Sequence, residues 1–572
     1  MPCFKGMGSR LNPCIRLLGL MVTMVGIGLI VASCAPQLTA EEKLADFRYL
    51  FEVLKQNHPY LALKARVENY DWLSYEKEFE KTAVKSGSEA AFARAIQEML
   101  LLINNGHTCV MDPLTFLNIQ NAPNEMVPWI YQATKTNIET VNRWYQLAIE
   151  NQRYPQDISL PFRARYVNGE YLVYWASDEL VDRSKVTPGQ IIRTVNTMPV
   201  HEYVETLRGK TWLRYDPLNK RLFMLEFMPP YRGRPLHITF EDELRRITDV
   251  RLGFSEVSEF IQPPTFPTGV WNMPNVYTTT LADGQVGYVH ISHMTGYSKS
   301  GSEKELLSSF FSEIRDLPAL IIDIRNNVGG SNLFWMLNIV RPLAKEPVVG
   351  VSISAYRSGE YIMPFLCAEQ SSDTVTKEYS ILRTIIPRSE LLTVITPSEM
   401  ANLPPEVLTP DFVDPVLCKT TIYPSGEYPF DGDVFLLVDQ EVFSAADCFA
   451  QFCKYSGWAK VIGQHTAGDA SYSNIVLVTL PNSGMVVKFP PDMGLNPDFS
   501  ASEETHTIPD IYVEQEPEAL LEYAQAIQDG REFPEPDPEL DTVLRKCLEM
   551  IDGSRGSRGS RGSRGSVLMP HK

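Results

Sequence analysis

Two apolar runs that stop at glycine or serine constrain this chain more than any other feature. One reads Leu320 Ile321 Ile322 Asp323 Ile324 Arg325 Asn326 Asn327 Val328 Gly329 Gly330; the other reads Val434 Phe435 Leu436 Leu437 Val438 Asp439 and leads to Phe443 Ser444 Ala445 Ala446. Runs of this length and composition are buried strands, and a helix-like segment follows each. Such a junction leaves backbone N–H groups unpaired at the start of the helix, where they can hold a developing negative charge. Ser444 delivers a hydroxyl beside such donors and is the candidate nucleophile; helix capping is the plain alternative for serine at that place.

At 572 residues the chain exceeds one ordinary core, so two to four domains are expected. Residues 1–33 read as a secretory signal: Lys5, Arg10 and Arg16 precede the apolar run Leu17 to Ala32, and small residues lead to Cys34. The segment resembles a bacterial lipobox, which implies cleavage before Cys34 and lipidation of its thiol. An uncleaved anchor helix is the alternative, although the run is short for a span. Removing residues 1–33 moves the formal charge from -18 to -21. A chain this acidic makes a poor generic nucleic-acid binder, because neutralising phosphates takes clustered Lys and Arg. Cys109, Cys367, Cys418, Cys448, Cys453 and Cys547 lack the paired spacing of a zinc site, and no metal or other cofactor is expected. An oxidising envelope permits a Cys367–Cys418 disulfide; buried free thiols are the alternative.

Helical spacing of Leu44, Phe47, Phe51 and Leu54, and again of Phe92, Ile96, Met99, Leu100 and Ile103, predicts an N-terminal helical subdomain over residues 34–155. Asn104 Asn105 Gly106 closes the second helix with residues that tolerate a left-handed cap, which fixes His107 at its exit. Residues 160–260 turn strand-like. The stretch Gly189 to Asn196, continuing through Met198 Pro199 Val200, resembles the centre of a PDZ domain, a module that takes an extended peptide terminus as an added strand. A β-rich domain without a ligand is the alternative. After a Pro-rich linker at 262–267, strands alternate with helices over 275–525, as in a parallel or mixed sheet. A Pro- and Ser-rich insertion at about 355–430 is expected to be irregular and to lie outside the sheet. Ile475 to Leu480 and Met485 to Phe489 flank a turn and predict a hairpin. Residues 526–572, with their Gly-Ser-Arg triplets, read as flexible linker and tail.

Taken together, four stretches resemble the serine peptidases of the carboxy-terminal processing protease and tricorn-core family, also called tail-specific proteases. They are Asp323 to Gly330, Phe443 to Asp447, Gly463 Gln464 His465 Thr466 Ala467 Gly468, and Thr507 to Val513, joined by Leu50 to Tyr60 in the helical part. The resemblance implies an α/β, crotonase-like core of ββα units, with Ser444 as nucleophile and the Gly330 and Ala445 amides as oxyanion donors. In the processing branch a lysine base follows the Thr-x-Gly element, but this chain has Asp469 there, so a serine-lysine mechanism is not expected. The tricorn-like branch places a histidine base in a short loop that Asn105 Gly106 His107 Thr108 matches, although Gly106 stands where the tricorn core has serine. That branch also uses a distant carboxylate, which falls at Glu503 or Glu504. His465 is the competing base. Asp323 and Arg325 are expected to be structural, and Asp447 to be a favourable charge at a helix N-terminus.

These readings converge on a lipid-anchored envelope serine peptidase. It would act on protein or peptide substrates, bind no nucleic acid, and be tethered through Cys34. Ala35 after the lipidated cysteine favours the outer membrane, on its periplasmic or outer face. A non-catalytic protein binding peptides or apolar ligands on the same scaffold is the second reading, and an unrecognised lysine base, Lys454 or Lys488, is the third.

Overall fold

The computed structural model of the chain describes residues 37–120, 127–149, 158–229, 235–253, 255–256, 274–295, 301–370, 373–471, 473–531 and 536–562. The signal segment and Cys34 lie outside these. Among the described residues no helix is long and apolar enough to cross a membrane.

Helix α1 (Ala40–Asn57) starts at a reciprocal capping box, in which the Thr39 hydroxyl accepts from the Glu42 amide and Glu42 accepts from the Thr39 amide. It buries Phe47, Leu50, Phe51 and Leu54 in one core with Phe92, Ile96 and Leu100 of α2 (Glu89–Leu101). Each such side chain contributes about 1.5 to 3 kcal/mol on burial. The expected hairpin forms, with Val476–Thr479 antiparallel to Val486–Phe489, but it belongs to this helical core. Its second strand pairs with Cys109–Val110, and that pairing ties the loop carrying His107 to a segment almost 380 residues later in the chain.

The second domain is an antiparallel sheet of Phe162–Val167, Glu170–Ala176, Ile191–Val195, Leu236–Glu241 and Ile247–Leu252, with Met198–Pro199 at its margin. Asn168 and Gly169, both at positive φ, make the two-residue turn between its first two strands, the conformation that matches strand twist. Helix Val200–Glu205 closes its core.

The third region is built on a sheet of six strands: β1 (Val276–Leu281), β2 (Val286–Ile291), β3 (Ala319–Asp323), β4 (Asp433–Val438), β5 (Lys460–Gly463) and β6 (Ile511–Tyr512). They lie in that order; β1 is antiparallel to β2 and all other pairs are parallel. The two apolar runs are therefore adjacent strands, and both end at one edge of the sheet. Helix α3 (Ala445–Ser456) follows β4.

Three expectations need correction. The segment at about 355–430 is not irregular, because Thr374–Val375, Tyr379–Ile385 and Val416–Ile422 join Val348–Tyr356 and Asp492–Leu495 in a second, five-stranded sheet. Residues 526–572 are not all linker. Helix α4 (Pro517–Gln528) lays Leu520, Tyr523 and Ala524 on the second domain's sheet, and α5 (Thr542–Gly562) buries Val543, Leu544, Cys547 and Ile551 against Tyr288, Ile321 and Phe435. The apolar spacing of α5 outweighs its Gly-Ser-Arg end, because the face it covers would otherwise expose the back of the six-stranded sheet. Cys367 and Cys418 form no disulfide with each other: Cys418 is buried in its strand, which pushes its thiol up to about 11, while Cys367 lies exposed on helix Met363–Gln370.

Candidate active site

Ser444 sits at the turn between β4 and α3 with φ 57 and ψ -124, a conformation that costs an L-residue about 1 to 3 kcal/mol. The turn is held from three sides. The Phe443 amide donates to the Asn327 carbonyl at 3.1 Å, the Ala467 amide to the Val442 carbonyl at 2.7 Å, and the Cys448 amide to the Ser444 carbonyl at 2.8 Å. The Ser444 hydroxyl makes no cap to α3. It lies 3.1 Å from Nε2 of His107 instead, so capping does not account for this serine.

His107 arrives from the helical subdomain, on a loop that the left-handed Asn104 (φ 57) turns away from α2. Its Nδ1 lies 2.6 Å from Oδ2 of Asp469. That carboxylate also accepts from Asn105 Nδ2 at 3.0 Å and from the Tyr60 hydroxyl at 3.2 Å. Burial alone would raise its pKa, but His107, Asn105 and Tyr60 outweigh burial and hold it below the usual carboxylate range. An ionised Asp469 accepts a hydrogen bond from Nδ1–H, which keeps the proton on Nδ1 and leaves the Nε2 lone pair facing the Ser444 hydroxyl.

Asn105 locks this loop from within, since its Oδ1 accepts both from the His107 amide (3.1 Å) and from the Thr108 hydroxyl (2.9 Å). Behind it, His58 Nδ1 accepts from the Tyr60 amide, so Nε2 carries the proton and donates to Thr108 at 2.8 Å. Burial keeps that imidazole neutral, with a pKa pushed down to about 3.

Neither carboxylate expected to orient the histidine does so. Glu503 pairs with Lys64 at 2.7 Å and reaches Asn105 Nδ2 only at 3.4 Å, while Glu504 is forked by Arg66 at 2.9 Å. Burial, opposed by Lys64, leaves the Glu503 carboxyl raised to about 7. Asp469 holds the orienting position instead. In the sequence Asp469 marks only the place where the processing branch carries a lysine, and an acid directly after the Thr466 Ala467 Gly468 element is the one signal that points to it. His465 bonds the Thr505 carbonyl at 3.3 Å and packs on Tyr512. Lys454 donates to the Ile508 carbonyl and Lys488 to Asp112, so neither reaches Ser444. Asp447 is a buried acid, raised to about 6 by that burial and accepting from Ser502 at 3.3 Å.

Facing Ser444, the loop after β3 is pinned by Met294, whose amide donates to the Gly329 carbonyl (3.0 Å) and whose carbonyl accepts from the Ser331 amide (2.7 Å). A Cβ on Gly330, at φ 138, would fall 1.9 Å from the Met294 carbonyl oxygen, so this position admits only glycine. A Cβ on Gly329 would meet Ser444 Cβ at 2.8 Å and the Ala445 nitrogen at 2.9 Å, which places this loop directly over the serine turn. Among the described residues neither the Gly330 nor the Ala445 amide donates a hydrogen bond. At the root of the loop, Arg325 forks Asp323 and is forked by Asp541, at 2.7 and 2.6 Å. This is the structural pairing expected for Asp323 and Arg325, extended by a carboxylate just before α5.

The site opens into a cleft of about 1050 Å³ whose walls come from all parts of the chain, including Trp212 of the second domain and Arg383 and Thr420 of the five-stranded sheet. Gly106 is small for a reason: a Cβ there would strike Phe443 at 2.5 Å and Trp212 at 2.9 Å. Among the described residues no group of His, Cys, Asp and Glu side chains is placed to hold a metal ion. The arrangement supplies a hydroxyl, a base with its tautomer set, an ionised orienting acid and two unpaired amides, the set that acyl transfer requires.

Residues 285–513 match the model of peptidase family S41. No curated protein matches the chain significantly by sequence. Among solved structures, mature CPAF is similar at 13% identity and a TM-score of 0.51, covering 93% of this chain and 99% of that one. CPAF complexed with lactacystin is similar at 13% identity and a TM-score of 0.50, covering 90% of this chain and 99% of that one. At this identity the likeness is one of fold.

Proposed function

We propose that the chain, whose residues 285–513 match the model of peptidase family S41, is a serine-type peptidase in which Ser444 attacks the scissile carbonyl of protein or peptide substrates. In this reading His107 Nε2 takes the Ser444 proton as the C–O bond forms, and the tetrahedral oxyanion is held by the Gly330 and Ala445 amides. The imidazolium, steadied by Asp469, returns the proton to the leaving amine, and the C–N bond breaks to leave an acyl-serine. Water then enters, loses a proton to His107 and attacks the ester; collapse frees the new carboxyl terminus and returns the proton to Ser444. The Ser444–His107–Asp469 chain, at 3.1 and 2.6 Å, carries the proposal.

The same reading takes the core as crotonase-like and the second domain as PDZ-like, binding its substrate as an added strand. It also takes the mature chain as a lipoprotein of a bacterial envelope, tethered at Cys34. A fluorophosphonate probe together with a fluorogenic peptide library tests the chemistry. Labelling and hydrolysis are expected in the native chain and absent in Ser444→Ala, whereas hydrolysis that survives Ser444→Ala defeats the assignment. A native chain that binds peptide without labelling or turnover is the non-catalytic binder.

A further inference from the structure

The second domain reaches into the active site through one strap, residues 207–216. On one side the strap meets the histidine loop: the Leu213 amide donates to Asn104 Oδ1 at 3.3 Å, and Gly209 and Trp212 lie against Leu102 and Gly106. On the other side it meets the serine turn. Arg214 forks the Glu441 carboxylate with Nε and Nη2 at 2.6 and 2.7 Å, three residues before Ser444. Arg214 also lies over the Trp212 ring at 4.3 Å, Trp212 packs edge-on against Phe443 at 5.5 Å, and Phe443 packs against the His107 ring at 4.8 Å. The ion pair is largely withdrawn from water, with side-chain exposures of 10% and 21%.

We infer that Arg214 is a positioning residue of the reaction: by clasping Glu441 and backing Trp212, it sets the spacing between the loop that carries His107 and the turn that carries Ser444. The inference rests on Ser444 and His107 being the reacting pair. The two come from different domains, and among the described residues the strap bonds or packs against both segments that deliver them. A planar fork on a carboxylate combined with a cation on an indole face fixes direction as well as distance, which a lysine cannot reproduce. Trp212 also walls the cleft, so the contact that spaces the pair borders the substrate. A shift of about 1 Å in such a pair lowers turnover as much as a hundredfold.

The test compares the full-length native chain with Arg214→Met, Arg214→Lys, Glu441→Gln and the Arg214→Met/Glu441→Gln double variant, in kcat, KM and the rate of fluorophosphonate labelling. If the native chain neither labels nor turns over, the reading of Ser444 and His107 fails, and this inference falls with it. Given an active native chain, Arg214→Met and Glu441→Gln each lower kcat about tenfold to a hundredfold with KM within about twofold. The double variant loses no more than the worse single one, and Arg214→Lys recovers part of the loss. Should Arg214→Met fail to fold, Glu441→Gln and Trp212→Phe carry the measurement. Folded variants with native kcat, losses that multiply in the double variant, or losses confined to KM each overturn the inference; a purely structural clamp would lower the melting temperature and leave kcat in the folded protein alone.

Discussion

Replacing Asp469 probes the site most sharply, because its surroundings dictate how an asparagine must sit there. Oδ2 accepts from His107 and Asn105, and Oδ1 accepts from the Tyr60 hydroxyl. In Asp469→Asn one of these oxygens becomes a donor. Turned toward His107, that donor would face the Asn105 amide group, which cannot flip because Asn105 Oδ1 is committed to the His107 amide and the Thr108 hydroxyl. Turned toward Tyr60, it meets a single hydroxyl. The carboxamide therefore keeps its oxygen on His107 and the histidine keeps its tautomer; what is lost is the negative charge beneath the forming imidazolium. A hydrogen bond to a charged partner contributes about 2 to 3 kcal/mol, so kcat falls roughly 30-fold to 150-fold. Asp469→Ala removes orientation together with charge and loses about 10⁴-fold. Single-turnover hydrolysis of one fluorogenic peptide by both variants, with Glu503→Gln and Glu504→Gln alongside, reads the difference. Equal losses in Asp469→Asn and Asp469→Ala refute the orientation argument, and a Glu503→Gln loss matching Asp469→Ala would return the orienting role to Glu503.

Two further predictions concern stability. Asp492 is fully buried, and burial raises it to about 6 against an ordinary value of 3.8. The folded state thus prefers the protonated acid: its contribution is complete below pH 3.8 and is lost as pH rises through 6, by about 3 kcal/mol. Asp492→Asn removes this dependence, so its melting temperature relative to the native chain is expected to climb between pH 4 and pH 7; a constant difference would falsify the assignment. Asp541→Ala strips a carboxylate from the buried Arg325 and is expected to cost about 3 to 5 kcal/mol in denaturant unfolding. A loss below about 1 kcal/mol would show that Asp323 alone satisfies the guanidinium.

What could be read from the sequence was what the backbone makes local. Ser444 and Gly330 were legible because strand, polar stop and helix follow one another within a few residues, and His107 because Asn104 Asn105 Gly106 must end a helix. Asp469 was not. Its direction is set by a positive φ of 58 and by Gly468 packing on Ser502 and His506, and nothing nearby in the sequence points it at His107. Glu503 and Glu504 looked suitable in chain order, yet Lys64 and Arg66, more than 400 residues earlier, take them up. The role of Trp212 and Arg214 arises wholly from contact between segments remote in the chain. Helix α5 was readable in principle, since Val543, Leu544, Cys547 and Ile551 share a helical face; the prolines at 534, 536 and 538 before it and the Gly-Ser-Arg triplets at its end carry the composition of a linker.

The Arg325–Asp541 fork spans 216 residues of chain. During synthesis the loop after β3 leaves the ribosome long before its second anchor exists, and until α5 docks, the back of the six-stranded sheet stays wet and the guanidinium holds one carboxylate where the folded protein gives it two.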